Sequence, residues 1–237
     1  MDKNSYKNKY FSILGDSIST FEGISEPRGA EFYNMAKKLE SGVTAYRRTW
    51  WGMVIDALGG ELLTNNSISG STLCRLKGSS SPTYACSADR TASLGRHGVA
   101  PDVIFAYIGT NDWGHGLNIN QGENGVLLDD ECVFRPAYRL MLERLRNNYP
   151  NAEIWCFTFP ISRCSARTGF EFPYLIGGRH ISEYCDAVRD TAREYGCRVI
   201  DLNKSCLPYD TIDCFHPNCE GMEAIAESVL RELSCQQ

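Results

Sequence analysis

No stretch of this 237-residue sequence approaches the roughly 20 consecutive apolar residues that a membrane-spanning helix needs. Basic charge is also scarce, with 24 Lys and Arg against 29 Asp and Glu and a formal net charge of −5. That balance leaves no electrostatic footprint for nucleic acid. Neither a membrane nor DNA or RNA is therefore an expected partner. The nucleophile elbow G-x-S-x-G of α/β-hydrolases does not occur. Nor do a Walker-type phosphate loop, a GxGxxG fingerprint or an HExxH zinc-peptidase site. No metal and no organic cofactor is expected. Eleven cysteines are present, but none forms a CxxC pair, which excludes a zinc ribbon or a thioredoxin-like motif. Their number is odd, and a chain this long needs no disulfide scaffold, so free thiols are expected. Residues Met1 to Tyr10 are polar and lysine-bearing with no apolar signal core behind them, which leads to the expectation of a cytoplasmic protein.

With 43% hydrophobic residues, the chain has ample material for one large core and reads as a single α/β domain over 1–237. Apolar runs predict strands at Tyr10 to Leu14, Glu61 to Thr64, Val103 to Ile108, Ile154 to Phe159 and Arg198 to Leu202. Between them, helical periodicity predicts helices at Thr49 to Leu58, Arg135 to Asn148 and His180 to Tyr195. Nearly continuous apolar strands that alternate with helices predict a parallel sheet covered on both faces, hence three layers.

Two short runs stand at the ends of such elements. The strand that ends at Leu14 is broken by Gly15 and followed by Asp16, Ser17 and Ile18. A residue at a strand's carboxyl end faces the crevice in which open α/β sheets bind ligands. Alone, Asp16 and Ser17 read more readily as a helix N-cap. The second run is Asp213, Cys214, Phe215, His216, Pro217 and Asn218, just ahead of an amphipathic helix with Met222, Ile225, Ala226, Val229, Leu230 and Leu233 on one face. A serine hydroxyl needs a base within hydrogen-bond reach and a third group that orients the base. His216 and Asp213 supply those types, and the sequence has only four histidines.

Four separated blocks resemble the GDSL, or SGNH, hydrolase superfamily of esterases and lipases. They are Gly15-Asp16-Ser17-Ile18; Ser69 with Gly70; Gly109-Thr110-Asn111-Asp112; and Asp213 to His216 with Pro217 and Asn218. The first has Ile18 where the name-giving motif has Leu, a conservative apolar exchange. The resemblance implies a flavodoxin-like, doubly wound sheet of about five strands in a three-layer α/β/α sandwich. It implies Ser17 as nucleophile, His216 as general base and then acid, and Asp213 as the group that orients the imidazole. It also implies an oxyanion hole from the N–H groups of Ser17 and Gly70 and the side-chain amide of Asn111. Apart from the resemblance, Gly70 reads as a turn glycine and Asn111 as a loop or cap residue.

The substrate has to be read from four long irregular segments, Phe21 to Tyr46, Ser71 to Gly98, Trp113 to Glu131 and Ile161 to Arg179. Asp16, Trp113 and His115 are candidate substrate contacts. Arg47, Arg48, Trp50 and Trp51 form a basic and aromatic cluster, in which the tryptophans are expected to pack a helix onto the sheet while the arginines face water. No long amphipathic lid is evident. The expected reaction is hydrolysis of a small ester, with a short acyl, foremost acetyl, group on a polar or carbohydrate substrate. Lipid or thioester hydrolysis, and a non-catalytic carbohydrate-binding relative, are the alternatives.

Overall fold

In the computed structural model, which describes residues 3–78, 83–163 and 172–235, five strands build the central sheet. They are β1 (Tyr10–Gly15), β2 (Glu61–Ser67), β3 (Val103–Tyr107), β4 (Glu153–Phe157) and β5 (Arg198–Ile200). Their order across the sheet is β2-β1-β3-β4-β5, and every pairing is parallel. The helices that cover it are α1 (Trp50–Leu58), α2 (Phe134–Asn148), α3 (Ile181–Glu194) and α4 (Cys219–Cys235). α1 packs against α4, and α2 packs against α3. Right-handed crossovers dictate this arrangement. The connection from β1 to β2 runs one way across the sheet and those from β3 to β4 to β5 run the other way, so α1 lies on one face and α2 and α3 on the opposite one. The expected doubly wound, three-layer fold is what forms. Among the described residues no helix is long and apolar enough to cross a membrane.

Most predicted elements recur with ends moved by a residue or two, and caps explain the shifts. Thr49 and His180, read as the first helical residues of α1 and α3, are their N-caps. The Thr49 side chain accepts from the Gly52 N–H, and that of His180 accepts from the Ser182 N–H, with Glu183 completing a capping box. The largest difference is β2, which continues past Thr64 through Asn65, Asn66 and Ser67. The polar residues there are buried: Asn65 Nδ2 donates to the Ser19 carbonyl and Asn66 Oδ1 accepts from Arg90 Nε, whereas Asn65 Oδ1 and Ser67 Oγ have no partner among the described residues. Parts of two of the long loops, residues 79–82 and 164–171, lie outside the described residues.

The core forms against the sheet from both sides. Trp50 and Trp51 are fully buried. The Trp50 ring meets Phe157 at 5.1 Å, Tyr107 at 5.4 Å and Phe105 at 5.6 Å between centroids. Arg47 and Arg48 turn to solvent and pair with Asp56 and Glu223, as the sequence suggested. The strand order reverses at β1 and β3, and there the helices that leave the sheet diverge and open a crevice. The register pairs Gly15 with both Ser67 and Tyr107, so β1, β2 and β3 end level at the crevice floor.

Two glycines allow the chain to turn there. A Cβ on Gly15 would stand 2.8 Å from the Ser67 Oγ and 2.9 Å from the Ser19 Cβ. Gly109 has φ +128°, and a Cβ there would stand 2.6 Å from the Phe159 ring and 2.9 Å from the Phe134 ring. Gly109→Ala therefore combines backbone strain with overpacking. It is expected to cost about 2 to 4 kcal/mol in urea-induced unfolding, and a loss below about 0.5 kcal/mol would contradict this reading of the turn.

Candidate active site

Ser17 opens a single 3-10 turn, Ser17–Ser19, directly after β1. Asp16 is its N-cap, and its Oδ1 accepts from the Ile18 N–H at 3.0 Å. Opposite it stands the loop that leads into α4. There one Asp213 oxygen accepts from the Phe215 and His216 N–H groups at 3.1 and 2.8 Å, an Asx-type turn closed by the side chain. The other Asp213 oxygen lies 2.7 Å from His216 Nδ1, and His216 Nε2 lies 2.8 Å from Ser17 Oγ. Residues 199 positions apart in the chain thus join in one line of hydrogen bonds.

The Asp213 carboxyl is held below its ordinary range. Burial raises it, but the hydrogen bond and charge attraction of His216 and the backbone N–H groups of His216 and Phe215 outweigh burial. An ionised Asp213 only accepts hydrogen bonds, so the neutral imidazole that suits this contact carries its proton on Nδ1 and turns the Nε2 lone pair to the Ser17 hydroxyl. The loop is held from several directions. Phe32 stacks on the His216 ring with centroids 3.4 Å apart and planes 8° from parallel. Tyr33 donates to the Pro217 carbonyl at 2.7 Å. Cys214, buried, has φ +74°, a strained value for a residue with a side chain. Its N–H donates to Thr211 Oγ1 and its carbonyl accepts from Ser162 Oγ.

Cys214 is disulfide-bonded, which corrects the expectation of free thiols throughout. Its partner is not among the eight cysteines found free, Cys74, Cys86, Cys132, Cys156, Cys185, Cys197, Cys206 and Cys219. The spacing of eleven scattered cysteines carried no signal for this bond.

The second and third blocks meet Ser17 across the crevice. Gly70 lies exposed at a loop tip with φ +73°. Among the described residues neither its N–H nor that of Ser17 donates a hydrogen bond. Asn111 Nδ2 gives one N–H to the Ser71 carbonyl at 2.8 Å, and its second N–H remains for a ligand. Asp112, fully buried, accepts from the Leu73 and Cys74 N–H groups at 2.7 and 2.9 Å and so ties the turn after β3 to the loop that carries Gly70.

Two candidate substrate contacts fall inside the protein. Trp113 is fully buried, donates from Nε1 to the Arg179 carbonyl at 3.1 Å and stacks on Phe172. It supports the wall behind Phe215 and has no surface to offer a ligand. Asp16 is likewise fully buried and acts as a cap. His115 is exposed at the end of the turn Thr110–Gly114. Two residues were missed by sequence reasoning, Phe32 over the imidazole and Arg90 beneath the crevice. Neither stands in a recognisable motif, and only the tertiary contact reveals it.

A model of the GDSL-like lipase/acylhydrolase family matches residues 9–160, which takes in the first three blocks and stops short of Asp213 and His216. Among solved structures, a protein assigned as a GDSL-like lipase from Bacteroides ovatus aligns at 28% identity and TM-score 0.73, over 98% of this chain and 100% of that one. Another so assigned from Bacteroides uniformis aligns at 30% identity and TM-score 0.68, over 96% of each chain. Est24, a carbohydrate acetylesterase from Sinorhizobium meliloti, shares the fold at 13% identity and TM-score 0.65, over 97% of this chain and 100% of that one. No curated protein matches the sequence.

Burial pushes the Asp16 carboxyl up to about 7; the Ile18 N–H and Arg90 oppose the rise and Asp112 adds to it. Between its ordinary value and about 7, the unfolded chain has lost a proton that folded Asp16 keeps. Its contribution to stability is therefore full in acid and lost as pH rises through that window. Asp16→Asn keeps an Oδ1 acceptor for Ile18 but does not titrate. Urea unfolding is expected to show the variant gaining on wild type as pH rises from about 4 to about 7, and a pH-independent difference would contradict the assignment.

Proposed function

The chain belongs to the GDSL-like lipase/acylhydrolase family, and from that footing we propose that it is a serine esterase that removes a short acyl group from a polar or carbohydrate alcohol. As a member of this family it is a hydrolase. The observation that carries the finer reading is the unbroken line Asp213–His216–Ser17, with contacts of 2.7 and 2.8 Å.

In this reading Ser17 Oγ attacks the ester carbonyl while its proton passes to His216 Nε2. The carbonyl oxygen becomes an oxyanion that accepts from the Ser17 and Gly70 N–H groups and from the free Asn111 N–H. Each such donor contributes about 2.7 to 4 kcal/mol to the transition state in well-studied acyl-transfer enzymes. The imidazolium, stabilised by ionised Asp213, protonates the departing alcohol and leaves the acyl group on Ser17. Water then gives a proton to His216, attacks the acyl carbon and releases the acid, and His216 returns the proton to Ser17.

A small cavity of about 10 Å³ is lined in part by Ile18, Thr110 and Phe215, the chain neighbours of Ser17, Asn111 and His216, but by none of those three, so it sets no limit on the acyl group. The carbohydrate acetylesterase fold neighbour supports the proposed substrate class. One observation favours a lipid ester instead. Met35 and Leu39 are 70% and 75% exposed, one helical turn apart, and Met35 follows closely on Phe32.

Hydrolysis of p-nitrophenyl acetate, butyrate, octanoate and palmitate separates these readings. Turnover is expected to fall steeply with chain length and to vanish in Ser17→Ala, with acetate released from acetylated xylo-oligosaccharides. A long-chain optimum would move the substrate to lipids, and turnover that survives Ser17→Ala would overturn the mechanism.

A further inference from the structure

Arg90 belongs to the short helix Ala88–Ala92 and is buried, with 4% of its surface exposed. Burying a guanidinium is costly unless its donors are satisfied, and here all five N–H donors of the group find acceptors. Nε donates to Asn66 Oδ1 at 2.8 Å, and Nη2 to the carbonyls of Asn66 at 2.7 Å and Gly15 at 2.9 Å. Nη1 donates to the Thr83 carbonyl at 2.7 Å and to Ser71 Oγ. None of these acceptors is a carboxylate: the group clasps three backbone carbonyls and two neutral side chains, and the buried Asp16 carboxyl acts on it by charge alone.

The acceptors are the supports of the crevice. The Gly15 carbonyl is the end of β1, two residues before Ser17. Asn66 is at the end of β2, and Ser71 adjoins Gly70 and holds Asn111 through its own carbonyl. The Gly70 loop tip is exposed and has little packing of its own, since a Cβ on Gly70 would meet nothing within 4 Å. Something must fix its N–H relative to the Ser17 N–H, because oxyanion donors act only when they are preorganised.

We propose that Arg90 is the positioning residue of the oxyanion hole: its fork locks the strand end that carries Ser17 to the loop that carries Gly70 and Ser71, and through Ser71 to Asn111. This rests on the esterase reading above. Lysine cannot substitute, for its ammonium has three donors and no planar fork, and acceptors would be left unpaired.

The test compares Arg90→Lys with wild type on p-nitrophenyl acetate, alone and in an Asn111→Ala background, with thermal unfolding of each. kcat is expected to fall on the order of 10- to 100-fold, with KM within about 3-fold. In the Asn111→Ala background the further loss is expected to shrink to under about 3-fold, because both changes act on the same oxyanion. A merely structural role would give the same fractional loss in both backgrounds, and that result overturns the proposal, as does an Arg90→Lys kcat within about 3-fold of wild type. If Arg90→Lys does not fold, Ser71→Ala, which removes one acceptor, is expected to lower kcat about 10-fold, and an unchanged kcat overturns the proposal. A wild type without Ser17-dependent turnover would overturn the esterase reading and this proposal together, whereas loss confined to the Arg90 predictions would leave the former standing.

Discussion

Everything in this structure depends on one contact, the 2.8 Å approach of His216 Nε2 to Ser17 Oγ. The two side chains stand on separate connections, one leaving β1 and the other entering α4. A misplacement of about 1 Å in such a pair can cost on the order of 100-fold in rate. The fold meets the requirement by fixing each partner from below and from the side. Ser17 is fixed by the end of β1, whose Gly15 fits only without a Cβ. His216 is fixed by the Asp213 turn, the Phe32 ring, the Tyr33 hydroxyl on Pro217 and the covalent bond at Cys214.

The sheet topology explains why the contact forms at that place. Strand order reverses between β1 and β3, and the divergence of α1 from α2 and α3 leaves the only kind of opening that a doubly wound sheet provides for a ligand. Ser17 follows one of the two strands at the reversal and Asn111 the other. The Gly70 loop, which follows β2, reaches over from the neighbouring edge. Asp112 and Arg90 then tie that loop to the turns after β3 and β1 with buried hydrogen bonds, which in low dielectric are costly to break.

The sequence made legible whatever is carried by local patterning. Apolar runs and helical periodicity located the strands and helices, and Gly-Asp-Ser and Asp-x-x-His stood out because both sit where an element begins or ends. Features that depend on distant contact were not legible. Asn65, Asn66 and Ser67 look like loop residues, yet they complete β2, where Ser19 accepts from Asn65 and Arg90 donates to Asn66. Trp113 follows Asn111 so closely that it reads as a pocket wall, but its side chain turns inward to Arg179 and Phe172. Arg90 reads as one more charge in a Ser- and Gly-rich loop. Nothing in the cysteine spacing marked Cys214.

The central claim is that the line of hydrogen bonds makes Ser17 a covalent nucleophile. Reaction of the intact protein with a fluorophosphonate, followed by peptide mapping, tests it most directly. The account predicts one phosphonyl group per chain, located on Ser17, with labelling lost in Ser17→Ala and slowed in His216→Ala. An intact, folded protein that takes no label, or takes it on another residue, would contradict the account.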